Sequence, residues 1–77
     1  MKAFILVKVE PGKIKEVSEA ISKMRHVKEV HCLTGPDDLI VVMEAEDARQ
    51  VSEVILGDMH EVEGIKGTDT RLVVDII

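Results

Sequence analysis

The sequence has no tryptophan, no tyrosine and a single phenylalanine, Phe4. It therefore lacks an aromatic platform on which the bases of a single strand could stack. It has one cysteine, Cys32, so no internal disulfide can form. No apolar run approaches the ~18 residues that a membrane span requires. The opening Met1-Lys2-Ala3-Phe4 runs straight into a strand-like segment, with no secretory leader. The expected compartment is the cytoplasm. Basic charge is also scarce: Lys and Arg number 10 against 15 Asp and Glu, a formal net charge of −5. Lys13, Lys15, Lys23, Arg25 and Lys28 interleave with Glu16, Glu19 and Glu29, which makes a mixed solvated face rather than a basic stripe. That balance repels a phosphate backbone, so no direct nucleic-acid partner is expected. Neither GxGxxG nor GxxxxGK[ST] occurs, so no nucleotide cradle is present by motif.

What is present is aliphatic. The chain has 77 residues and is 45% hydrophobic, carried by Val, Ile, Leu and Met. It reads as one domain, residues 1–77. A domain of this size buries only roughly 60% of the surface its unfolded chain exposes, so association would help it. "AFILVKV", Ala3–Val9, is a β-branched-rich strand closed by Pro11-Gly12. Ile14, Val17, Ala20, Ile21 and Met24 recur at helical steps and form the stripe of an amphipathic helix, with Pro11 suited to its first turn. "VKEVHCL", Val27–Leu33, and "LIVVMEA", Leu39–Ala45, are strands joined closely enough for a hairpin. Asp47 reads as a helix N-cap, with Gln50 placed as in a capping box. The second stripe is Val51, Val54 and Ile55, continuing to Met59 and Val62, and Gly57 weakens it by about 1 kcal/mol against Ala. "TRLVVDII", Thr70–Ile77, is the expected last strand.

The order is β-α-β-β-α-β, and the chain repeats itself at an offset of 34 residues. At that offset Val17-Ser18-Glu19 meets Val51-Ser52-Glu53, and His26 meets His60. Two βαβ halves in register imply the α+β, ferredoxin-like fold. Right-handed crossovers then put both helices on one face of an antiparallel sheet. Strands one, three and four alternate apolar with largely apolar residues, so both sheet faces are expected to be apolar. Helices can cover only one. The other is expected to be an association surface, which makes the chain a homodimer or something larger.

Metal and catalytic readings find little support. His26, His31, Cys32 and His60 are the soft and borderline ligands, and only His31-Cys32 are adjacent. Neighbouring strand residues point to opposite faces, so those two do not converge, and Cys32 is expected to be a small core residue. Ser18, Ser22 and Ser52 lie on helix surfaces without a His or Asp spaced to activate them. No catalytic pair appears, and no metal, cofactor or enzymatic role is expected. The stretch "HCLTGPDDL", residues 31–39, is turn chemistry: Pro36 fixes φ, Gly35 adds freedom, and Asp37 can bond nearby backbone. Two consecutive acids exceed what a turn requires. A hydroxyl-bearing segment, Gly67–Leu72, occupies the place that the internal repeat pairs with Thr34-Gly35.

"VHCLTGPDDLIVVMEAED", Val30–Asp47, followed by "EGIKGTDTRLVV", Glu63–Val74, resembles the ligand-sensing (RAM) domain of Lrp/AsnC-type transcriptional regulators. The carrying residues are Thr34-Gly35-Pro36-Asp37-Asp38, Gly64-Ile65 and Thr68-Asp69-Thr70. The helix-turn-helix half of such regulators has no counterpart here, so the chain is similar to stand-alone RAM proteins. The resemblance implies dimers that associate further, often four in a ring, an octamer. It also implies a small amino-acid effector between dimers, against the Gly-x-x-Asp loop. The candidate ligand-binding residues are Thr34, Gly35, Asp37, Asp38, Thr68 and Thr70. Asp38 matches the motif aspartate and would take the ammonium. Backbone N–H groups around Gly35 could hold the carboxylate. Asp37 is expected to point away or to cap the turn. It stands where the family commonly has an aromatic residue, so this loop is stiffer and more acidic. Two other roles compete: a subunit that co-assembles with full-length Lrp/AsnC regulators without a ligand, and a small dimeric ferredoxin-like enzyme. Helix-facing aliphatic positions rank the enzyme last. The purified chain is expected to show no specific duplex binding at ~0.15 M salt. A sequence-dependent electrophoretic shift would overturn that expectation.

Overall fold

A computed structural model describes residues 1–75. Eight residues of β1 (Lys2–Val9) lead into α1 (Ile14–Ser22), β2 (Val27–Cys32) and β3 (Leu39–Glu44). α2 (Ala48–Glu53) follows, prolonged by a π-helical turn (Val54–Asp58) and a 3₁₀ turn (Met59–Glu61), before β4 (Ile65–Leu72). The four strands form one antiparallel sheet in the order β2-β3-β1-β4. This is the ferredoxin-like α+β fold read from the pattern. The internal offset is visible too, since α1 begins at Ile14 and α2 at Ala48.

Residues opposed across an antiparallel ladder share a face. Ala3, Ile5 and Val7 of β1 oppose Met43, Val41 and Leu39 of β3, and all six are buried. They meet Val17 and Ile21 of α1, and Val51, Val54, Ile55 and Met59 of the second helical segment, in one core. Asp47 caps α2 by accepting from the Gln50 amide at 3.0 Å, and the Gln50 side chain accepts from the Glu46 amide at 2.9 Å. The π-helical turn spans Gly57, where helix propensity is weakest. It sets Met59 in the core together with Val54 and Ile55. Pro11 lies in the turn before α1 rather than in its first turn, because Gly12 there adopts φ 82° and the helix begins only at Ile14.

Two strand readings need correction. The last strand is Ile65–Leu72, not Thr70–Ile77. β4 follows its partner β1: Ala3 opposes Leu72 and Val9 opposes Ile65, with a bulge at Lys8/Val9. The Val73 amide still reaches the Lys2 carbonyl at 2.9 Å, but Val74 runs past the paired length of β1 and is 78% exposed. Ile76 and Ile77 lie outside the described residues. The apolar tail imitates a strand in sequence, while an edge strand bonded on one side only tolerates the polar "IKGTDTRL". Cys32 is exposed rather than in the core: it is the last residue of the edge strand β2, which has a neighbouring strand on one side only.

The helix-free face is apolar only along its middle. Phe4 and Leu6 of β1 oppose Val42 and Ile40 of β3 there, all half-buried. The edge strands add polar and charged groups to this face: Asp69 and Arg71 from β4, Glu29 and His31 from β2. The face is a two-strand apolar stripe between polar rims, not an unbroken apolar sheet.

Ile5→Lys should abolish the folded circular-dichroism signal. An unpaired buried charge costs several kcal/mol, comparable with a total stability of about 5–15 kcal/mol. Ile40→Lys, on the helix-free face, should leave the fold intact. Gly64→Ala should destabilise by about 1–3 kcal/mol in urea unfolding. Gly64 has φ 105°, and an added Cβ would stand 3.0 Å from the Lys13 side chain and 3.1 Å from that of Val17.

Candidate functional site

The loop between β2 and β3 folds over the end of β1 and is bonded to it repeatedly. The Asp38 amide donates to the Val7 carbonyl at 2.9 Å, and the Val9 amide donates to Asp38 Oδ2 at 2.8 Å. Lys8 Nζ donates to the Pro36 carbonyl at 3.0 Å and stands 3.8 Å from Asp37 Oδ1. The Leu33 amide closes the loop on the Asp38 carbonyl at 2.8 Å. Gly35 adopts φ 113°, a region that a residue with a Cβ rarely enters, and so permits the reversal.

These contacts add to the sequence reading of the two aspartates a role for each within the fold. Asp38 is the loop's lock on β1, with one carboxylate oxygen committed to the Val9 amide. Asp37, expected to point away or cap the turn, extends along the helix-free face to Lys8. Both acids lie in the loop before β3, where the bonds of Asp38 to β1 leave Asp37 beside Lys8. There Asp37 helps to line a depression of about 130 Å³ with Leu6, Lys8, Gly67, Thr68 and Asp69. Asp69 in turn accepts from Arg71 at 3.0 Å. That hydrogen bond and the adjacent negative charge raise the Arg71 pKa above its usual value, with a smaller contribution from Asp37. Two acids and two bases thus share one corner of the face.

Of the other expected residues only Thr68 also touches that depression, and its hydroxyl turns the other way. Thr34 and Gly35 form the exposed tip of the loop. Thr68 and Thr70 oppose Val7 and Ile5, which places both hydroxyls on the helix side of β4. Thr68 Oγ1 lies 3.2 Å from His60 Nε2 of the 3₁₀ turn. Lys8, Asp69 and Arg71 were not singled out from the sequence as site residues, and His60 was weighed only as a metal ligand. For Asp69 and Arg71 the available signal was the alternation of β4, which a misplaced strand concealed. Among the described residues no group of three or more His, Cys, Asp or Glu side chains is placed to hold a metal ion. No helix among them is long and apolar enough to cross a membrane.

Residues 2–77 match the family described as the Lrp/AsnC ligand binding domain. The chain belongs to that family. It is 31% identical over 74 residues to an uncharacterized HTH-type transcriptional regulator, PF1231, of Pyrococcus furiosus, covering 96% of this chain and 50% of that protein. The chain thus spans about half the length of the curated relatives it matches. Among solved structures it superposes on TTHA0845 from Thermus thermophilus with a TM-score of 0.93 and 28% identity, covering 99% of this chain and 95% of that one. The fold also matches the transcriptional regulator NMB0573 of Neisseria meningitidis, solved as a complex with L-Met. That match has a TM-score of 0.82 and 24% identity, covering 99% of this chain and 51% of that one. The relatives are thus regulators of transcription, and this Lrp/AsnC domain is a regulatory ligand-binding domain by family.

Asp38→Ala should cost about 1.5–3 kcal/mol in urea unfolding, because it leaves the part-buried Val9 amide without its charged acceptor. Asp37→Ala should change stability by less than about 1 kcal/mol, since its ion pair with the half-exposed Lys8 is screened by water.

Proposed function

We propose that this Lrp/AsnC domain senses a free amino acid and passes the signal on through its state of assembly. In this reading two copies pair through the helix-free sheet face, covering the stripe of Phe4, Leu6, Ile40 and Val42. Dimers then associate further, up to an octamer. The effector sits at the loop end of the sheet, where dimers meet, and transcription is affected through Lrp/AsnC-type partners.

The observation that carries this reading is the paired charge at the loop. Asp37 and Lys8 stand side by side at the edge of a depression with Leu6 in its lining. A zwitterion needs an acceptor for its ammonium and donors for its carboxylate, and this corner offers both within one small space. The loop that presents Asp37 is held by its bonds to Val7, Lys8 and Val9, so little ordering entropy remains to be lost on binding. The L-methionine complex of a regulator with the same fold supports an amino acid as the ligand class. A ligand-free co-assembly role is the second reading, favoured by the apolar stripe, which needs a covering partner whether or not a ligand binds.

Calorimetry against the proteinogenic amino acids, read together with light scattering, is the test. One of them should bind, raise the melting temperature and increase the assembled mass together. A ligand at a hundred times its dissociation constant adds about 2.7 kcal/mol by linkage. Asp37→Asn should weaken binding about ten- to hundredfold by removing a charge-assisted bond. If no amino acid binds, the sensor reading fails and co-assembly replaces it. A scattering mass near one chain at micromolar concentration would sink both.

A further inference from the structure

On the helix side of β4 lies a second, larger hollow of about 410 Å³, lined by His60, Ile65, Lys66, Gly67 and Thr68. Its polar side chains are all able to donate: an ammonium, an imidazole and a hydroxyl. No carboxylate lines it, although the chain carries 15 acidic residues against 10 Lys and Arg. Glu61 and Glu63, close in sequence, do not line it, and Asp69 belongs to the opposite face, paired with Arg71. His60 and Thr68 are already oriented toward each other, 3.2 Å apart. With the proton on Nε2, His60 donates to Thr68 Oγ1, and the Thr68 O–H is left free to donate outward. Gly67 contributes only backbone to the lining, because it opposes Lys8 and its Cα hydrogens face the other side of the sheet.

We propose that this hollow is a separate site for a small organic anion, held through a carboxylate by Lys66 and by the Thr68 hydroxyl that His60 orients. The acids at the Asp37 corner suit an ammonium group; the donors here suit its opposite. The two hollows meet at Gly67 and Thr68 but draw their charged side chains from different places, Lys8, Asp37 and Asp69 in one and Lys66 in the other, so substitutions at Lys66 and Asp37 separate this site from the amino-acid reading.

Glutarate is the probe, with glutaramide as its uncharged control, titrated into the full chain. Glutarate should bind and glutaramide should not. Lys66→Gln should weaken glutarate about tenfold, the loss of one charge-assisted bond, and His60→Gln several-fold. Asp37→Asn should leave glutarate affinity unchanged. His60 and Lys66 are exposed, so both variants should melt at the parent temperature. Amide shifts in the parent protein give a readout that needs no variant: glutarate should move His60, Lys66, Gly67 and Thr68 first. Absence of binding, equal affinity for glutaramide, parent-like affinity in Lys66→Gln, or shifts centred on Lys8 and Asp37 would each overturn the proposal.

Discussion

The hydrogen bond from the Val9 amide to the Asp38 carboxylate holds the end of the sheet together. β1 is the central strand on which everything else is built, with β3 on one side and β4 on the other. At Val9 its ladder with β4 passes through a bulge, and the strand is about to turn away. A part-buried amide at that point needs a partner, since leaving it empty forfeits the desolvation cost of the group. Asp38 supplies one from 29 residues away. The same contact fixes where the loop lies, which way Asp37 points, and hence what chemistry the corner of the helix-free face presents.

The two faces of the sheet carry different tasks because of one-residue alternation. Ala3, Ile5 and Val7 are fully buried and belong to the core with both helices. Phe4 and Leu6, one step along, have no helix above them and remain half-buried beside Ile40 and Val42. Charged residues of the edge strands confine that stripe to the middle of the sheet. Such a layout suits a partner that covers the centre while leaving the rims and the loop end wet. The charged corner at Lys8, Asp37, Asp69 and Arg71 lies on one of those rims, within reach of solvent.

Much of this was legible beforehand because it depends on period alone. The stripes Ile14-Val17-Ile21 and Val51-Val54-Ile55 set two helices, and Asp47 with Gln50 marked the start of the second. Their order with the apolar strands left few topologies open, and right-handed connections selected the one observed. The loop was legible as a constrained turn from Gly35 and Pro36. The division of labour between Asp37 and Asp38 was not, because either acid can bond to backbone and the choice lies with an amide on a strand distant in sequence. Strand four misled for a related reason. An apolar run usually marks a strand, yet β4 was selected by register with β1, and its exposed edge accepts polar residues.

By itself the sequence determined the element order, the helix-side core and the kind of assembly surface to expect, since these follow from how often apolar residues recur along the chain. It also determined that a loop of glycine, proline and paired acids would stand between β2 and β3. Only the tertiary structure decided which acid is bonded to β1 and which reaches Lys8, that the Thr68 and Thr70 side chains stand on the helix side of β4, and that His60 comes to rest beside Thr68. Those outcomes depend on register between strands and on the reach of single hydrogen bonds across the fold. Neither quantity has a signature in local periodicity.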